Sequence, residues 1–115
     1  AGRRLWRRWR QRALLSMADA LTHSEQAGRG VFALDRDGRR VAEMTYRRLG
    51  DSRVQVDHTH VDPSLRGHGV ARQLLDAAVA WARQTNTKLS ATCSYVVVQF
   101  ARDATLRDVQ DDSGA

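Results

Sequence analysis

Between residues 54 and 84 the chain changes period once, and a pair of glycines marks the change. Val54 to Val61 reads as a strand, Asp62-Pro63-Ser64 as a turn, and Arg66-Gly67-His68-Gly69-Val70-Ala71 as the start of a helical pattern. From Val70, the apolar residues Leu74, Ala78 and Trp81 follow at i+4, i+8 and i+11, with Leu75 and Ala77 widening the stripe. That spacing is one helix face packed on a sheet. A strand that runs through a glycine loop into a helix aims backbone N–H groups and the positive end of the helix at one place, which suits an anion.

Two familiar phosphate loops are excluded by missing residues. A Walker A loop needs a lysine after its last glycine, and none is present. The dinucleotide fingerprint needs a third glycine where Arg72 stands. What remains is Arg66-x-x-Gly69-x-Ala71 between a strand and a helix. Gly67 and Gly69 free the backbone, Ala71 keeps the first turn small, and Arg66 can add a charge-assisted hydrogen bond. The competing reading is a tight β–α turn made only for packing.

Upstream, the pattern is that of a meander. Residues 18–25 are weakly patterned and supply a short first strand; Val31 to Leu34 is a second. Asp35-Arg36-Asp37-Gly38 is a hairpin turn, Val41 to Leu49 alternates as a third strand, and Gly50-Asp51-Ser52 turns the chain into the fourth. After the helix, which ends near Asn86, Lys88 to Thr92 is a short fifth strand. The intervening helix makes it parallel to the fourth through a right-handed crossover. Tyr95 to Arg102 has a β-branched run that suits a strand. Val96 with Phe100, and Val97 with Ala101, also fit a helix face, so periodicity leaves this stretch open. The expected class is α+β: one domain over 17–107, a basic extension over 1–16 and a polar, fraying tail over 108–115. A chain of 115 residues can bury somewhere near two-thirds of its unfolded surface.

The net charge of +6 is concentrated at one end. Arg3, Arg4, Arg7, Arg8, Arg10 and Arg12 precede the first acid, and residues 13–115 are formally neutral. Global basicity therefore gives little support to nucleic-acid binding. If helical, residues 1–16 place Leu5, Trp6, Trp9 and Ala13 on one face, and such an arm could touch nucleic acid or an anionic membrane. It reads equally as a poorly ordered extension or as a transit-type targeting segment. The single cysteine, Cys93, has no internal disulfide partner, which fits a reducing, cytoplasmic compartment.

His58-Thr59-His60-Val61-Asp62-Pro63-Ser64-Leu65-Arg66-Gly67-His68-Gly69-Val70-Ala71, with the later Cys93-Ser94-Tyr95-Val96, resembles the short single-domain members of the GNAT acetyltransferase superfamily. The Arg66-x-x-Gly69-x-Ala71 stretch resembles that superfamily's acetyl-CoA motif. The similarity runs from about residue 19 to 106. It implies a four-stranded antiparallel start, a fourth and fifth strand that splay apart, acetyl-CoA between them, and a helix over 95–102. It also implies transfer of acetyl to an amine acceptor, small molecule or protein. Relatives often carry glutamate where His60 stands and proline where Ser94 stands; the first difference removes a candidate carboxylate.

On that resemblance His60, Val61, Arg66, Gly67, His68, Gly69, Val70 and Ala71 are the expected CoA-binding residues, and Cys93 and His58 the expected catalytic ones. The open edge of the fourth strand near His60 and Val61 would pair with the pantetheine amides. Cys93 could accept the acetyl group, donate a proton to the leaving sulfur, or simply pack as a small apolar residue. An ordinary thiol ionises around pH 8.5, so a nucleophile needs local activation. His58 and His60 share a strand face if alternation holds, with Asp57 on the other; either histidine can act as general base. No metal is expected. Tyr46 and Tyr95 either line the acceptor cleft or pack in the core. Readings from other classes are a CoA-binding module without turnover and an adaptor driven by residues 1–16.

Overall fold

The computed structural model describes residues 19–111. The arginine arm expected over 1–16 lies outside the described residues. Four strands form an antiparallel meander: β1 (Asp19–Gln26), β2 (Arg29–Arg36), β3 (Arg39–Gly50) and β4 (Arg53–Val61). Helix α1 (Val70–Thr85) crosses over the sheet and β5 (Lys88–Ala91) then pairs with β4 in parallel, giving the order β1-β2-β3-β4-β5. Helix α2 (Ser94–Arg102) and a 3-10 turn at Ala104–Val109 follow.

Local chemistry accounts for the corners. Ala27 and Gly28 have φ of 56° and 78°, and Asp37 and Gly38 have 52° and 78°. Both pairs therefore make the two-residue turn whose twist matches that of the flanking strands. The expected turn over 35–38 shortens to Asp37-Gly38, and β2 and β3 extend accordingly. Asn86, at φ 54°, ends α1 in the left-handed conformation.

The core lies on one face of the sheet. Phe32, Leu34, Met44, Tyr46, Val54 and Val56 meet Leu74, Leu75, Ala78, Val79 and Ala82 of α1. The ambiguous run at 95–102 is helical: Val96 is fully buried while Val97 and Val98 are exposed, as one-sided helix packing requires. Residues 108–111 correct the expected tail boundary. Val109 is buried, Asp111 N–H donates to Leu89 C=O at 2.8 Å, and Arg53 Nε donates to Asp111 at 2.7 Å. Sealing the bottom of β5 is what holds this segment to the domain.

At the β1 side, Tyr46 is 1% exposed and its hydroxyl donates to Glu25 Oε1 at 2.6 Å, while His23 Nε2 lies 2.7 Å from the same hydroxyl. Arg48 Nε donates to Glu25 Oε2 at 2.8 Å. The Arg48 guanidinium, and after it the Tyr46 hydroxyl, hold the Glu25 carboxyl at about 2 against an ordinary 4.5. A carboxyl depressed on folding contributes stability above its unfolded value and loses it as pH falls through the folded value. Glu25→Gln is therefore expected to cost on the order of 1–2 kcal/mol at pH 7, solvent screening included. That difference disappears as pH falls from 4.5 to about 2. Urea unfolding of both proteins at pH 7 and near pH 2 checks it.

Candidate active site

The site begins with a fault in strand pairing. Thr45 opposes His58 and Tyr46 opposes Val56, which leaves Asp57 as an extra residue, a β-bulge. The bulge corrects the expected alternation. Val54 and Val56 face the core, but beyond Asp57 the parity changes: Thr59, opposite buried Met44, faces α1 and α2. His58 and His60 stand on the opposite, open face, exposed, with rings parallel and 6.4 Å apart. Asp57 lies on that face too, not on the other side as alternation implied, because it accepts from Thr45 Oγ1 at 2.6 Å and pairs with Arg29 at 3.3 Å.

The bulge is also where β5 leaves. The last β4–β5 pair is Val56 with Ala91, and the N–H groups of Thr92 and Cys93 both turn to Val56 C=O, at 2.9 and 3.3 Å. Among the described residues, the outer edge of β4 from Asp57 to Val61 has no strand partner, so a gap opens between β4 and the start of α2. Cys93 sits at its base as the residue preceding α2, buried, with its Sγ 3.1 Å from Thr59 Oγ1.

A cleft of about 280 Å³ continues from this gap, lined by Val61, Leu65, Arg66, Gly67, Gly69, Val70, Ala71, Arg72 and Tyr95. Asp62 starts its wall by accepting from the N–H and hydroxyl of Ser64, with Pro63 in the first position of a 3-10 turn. Gly67 and Gly69 have φ of 83° and 75°. A Cβ at either would meet nothing within 4 Å, so backbone conformation rather than crowding calls for glycine here. Gly69 precedes α1 without a side-chain cap, and no acid occupies the first turn. Among the described residues nothing pairs with the N–H groups of that turn, which face the cleft with the helix dipole behind them. Arg66 is exposed at its mouth and has no ion-pair partner among the described residues.

Six of the expected CoA-binding residues thus line one cleft: Val61, Arg66, Gly67, Gly69, Val70 and Ala71. His68 does not line it; its side chain is exposed and its N–H turns to Leu65 C=O at 3.3 Å. His60 offers the cleft only its place on the β4 edge. Cys93 and His58 flank the gap from opposite faces. Tyr46 packs in the core, whereas Tyr95 reaches the cleft, where burial raises its phenol pKa.

Thr59, Arg72 and Tyr95 complete the site. Arg72 donates to Asp76 at 2.9 Å, to Gln99 at 2.7 Å and to Asp103. It therefore ties the first turn of α1 to α2 and fixes the width of the cleft. Its pairing with Asp76 at i+4 was visible as a helical ion pair, but its hold on α2 was not. Among the described residues no cluster of histidine, cysteine or carboxylate side chains has the makings of a metal site.

A family model for GCN5-related N-acetyl-transferases matches residues 18–109. A GCN5-like N-acetyltransferase structure from Staphylococcus aureus is 31% identical, with a TM-score of 0.60 over 79% of this chain and 88% of that one. The ribosomal-protein-alanine N-acetyltransferase of Brucella melitensis biovar Abortus 2308 shares the fold, at 20% identity and a TM-score of 0.56 over 70% and 66% of the two chains. Among curated proteins, Protein NATD1 of Xenopus tropicalis is 33% identical over 55 residues, 48% of this chain and 50% of that protein. The chain thus spans half the length of the curated relative it matches. A five-stranded mixed sheet, a gap between β4 and β5, and an uncapped helix over a glycine loop accompany that match along most of the sequence: the chain belongs to the GCN5-related N-acetyltransferase family, whose chemistry is acyl transfer.

Proposed function

We propose that the protein binds acetyl-CoA in the β4–β5 gap and the adjoining cleft and transfers the acetyl group to an amine. The observation that carries this is continuity. The cleft at the N-terminus of α1 is lined by Val61 of the β4 edge and Tyr95 of α2, each two residues along the chain from the Thr59–Cys93 contact at the base of the gap.

In this reading the first turn of α1 and Arg66 hold the pyrophosphate. The open edge of β4 pairs with the pantetheine amides, as an added strand would. An N–H of the same edge stands ready for the thioester carbonyl oxygen as charge develops on it. The amine nitrogen bonds to the acetyl carbon and the carbon–sulfur bond breaks. His58, on the open face, takes the proton that the ammonium loses before attack. Cys93, held by Thr59, gives a proton to the departing sulfur, and the second proton that the nitrogen sheds after attack restores the Cys93 thiol.

The test is release of free CoA from acetyl-CoA with a panel of amines, alongside intact-mass analysis. Wild type is expected to release CoA without gaining an acetyl mass, and Cys93→Ala to turn over about a hundredfold more slowly. An acetyl mass on Cys93 of the wild type would replace direct transfer by a covalent route. CoA binding with no transfer to any amine would leave a binding module.

A further inference from the structure

The two faces of the sheet are not equivalent at the reaction centre. The cradle occupies the side covered by α1 and α2. Among the described residues no helix packs on the other face, so an acceptor has open access from there. That face is built of cross-strand rows. One runs Thr22, Ala33, Glu43, His60 and the next Ser24, Val31, Thr45, His58. Both rows end at the β4 edge, beside the gap.

Charge on this face is largely matched. Asp57 is paired with Arg29, and Arg47 donates to Gln55 at 3.1 Å in the row beyond. Arg39 lies 3.6 Å from Asp62. Glu43 is different. It is half-buried, directly opposite His60, and has no hydrogen-bond or ion-pair partner among the described residues. Its carboxylate oxygens still reach solvent, so an incoming cation can pair with them without displacing a protein partner.

The geometry points to Glu43 as a specificity residue: we propose that it holds a second positive charge on the acceptor, which is a diamine or oligoamine rather than a neutral or anionic amine. This rests on the β4–β5 gap being the acetyl-transfer centre. Glu43 is on β3, one strand short of β4, and the reacting amine lies in the gap one strand beyond. Two strand spacings of about 4.8 Å, less the roughly 2.8 Å by which a cation bonded to the carboxylate stands toward the gap, leave about 7 Å between the two nitrogens, near the span of a short aliphatic diamine.

Three probes of one shape test the idea: putrescine, n-butylamine and 4-aminobutyrate, which end in a cation, a methyl group and a carboxylate. Their affinities for the protein–CoA complex are measured by calorimetry, so the result does not depend on turnover. Putrescine is expected to bind about tenfold more tightly than butylamine, the size of one charge-assisted hydrogen bond, and 4-aminobutyrate more weakly than either. In Glu43→Gln the advantage of putrescine falls to within about twofold, and in Glu43→Lys the order of putrescine and 4-aminobutyrate inverts. Equal affinities in the wild type, no putrescine binding at millimolar concentration, or a putrescine advantage that survives Glu43→Lys each overturn the proposal. The affinity for CoA alone, titrated first, separates the two levels: its loss in the wild type brings down the acetyl-transfer reading as well, whereas its presence confines any failure to Glu43.

Discussion

Arg66→Ala is expected to bind CoA ten- to a hundredfold more weakly than wild type while unfolding at the same urea concentration. Arg66 is exposed at the mouth of the cleft and has no ion pair to lose among the described residues, so removing it leaves the folded protein as stable as before. What is removed is a guanidinium that, in the proposed complex, faces the pyrophosphate beside the N–H groups of the first turn of α1. A hydrogen bond to a charged group contributes about 1.5–3 kcal/mol, which sets that range of affinity. Arg66→Glu adds repulsion to the loss and should weaken binding by a further factor of about ten. An affinity unchanged by either substitution would place the pyrophosphate elsewhere.

Gly30→Val is expected to destabilise the fold by about 3 kcal/mol, and Gly30→Ala by about 1–3. A Cβ at Gly30 would stand 2.0 Å from Cζ and 2.4 Å from the hydroxyl oxygen of Tyr46. The ring cannot move aside cheaply. It is 1% exposed, lies 5.4 Å from the Trp81 ring and 5.9 Å from Phe32, and is anchored through its hydroxyl to Glu25 and His23. The matching control is Gly30→Ala in a Tyr46→Leu background. There the ring is gone and the added methyl should cost less than half as much, a coupling that urea denaturation of the four proteins measures. Equal costs in both backgrounds would show that β-strand backbone, rather than the ring, sets the penalty.

How far the structure was legible depends on the range of the determining contacts. The meander, the crossover helix and the parallel fifth strand follow from local period and from glycine at the turns, which act over a few residues. The loop before α1 was legible for the same reason: Arg66, Gly67, Gly69 and Ala71 fall within six residues, between a strand and a helix that announce themselves. The bulge at Asp57 was not. Counting alternation from Val54 puts His58 and His60 on the core face with Val56, and Thr59 outside; the pairing of β3 with β4 reverses this. Only the partner strand decides where an extra residue is accommodated. The contact of Thr59 with Cys93 has no signal in the sequence on that account.

Arg72 shows the same limit over a longer range. Its partners Gln99 and Asp103 are 27 and 31 residues away, and nothing in the first turn of α1 signals them. Tyr46 over Gly30 is a third case, since the bare glycine in β2 has meaning only with the ring from β3 above it. Val109 and Asp111 are a fourth: a polar-looking terminus contains one buried valine and one backbone bond to β5, which together keep it in place.

The central claim is that the N-terminus of α1 and Arg66 hold the pyrophosphate of CoA while the β4 edge holds its arm. Calorimetric titration of the intact chain with CoA and, separately, with pantetheine tests it most directly, because pantetheine has the arm without the pyrophosphate. The account predicts saturable binding of CoA at micromolar concentration and binding of pantetheine at least a hundredfold weaker, a difference of about two charged hydrogen bonds. Equal affinities for the two ligands, or no binding of CoA, would contradict it.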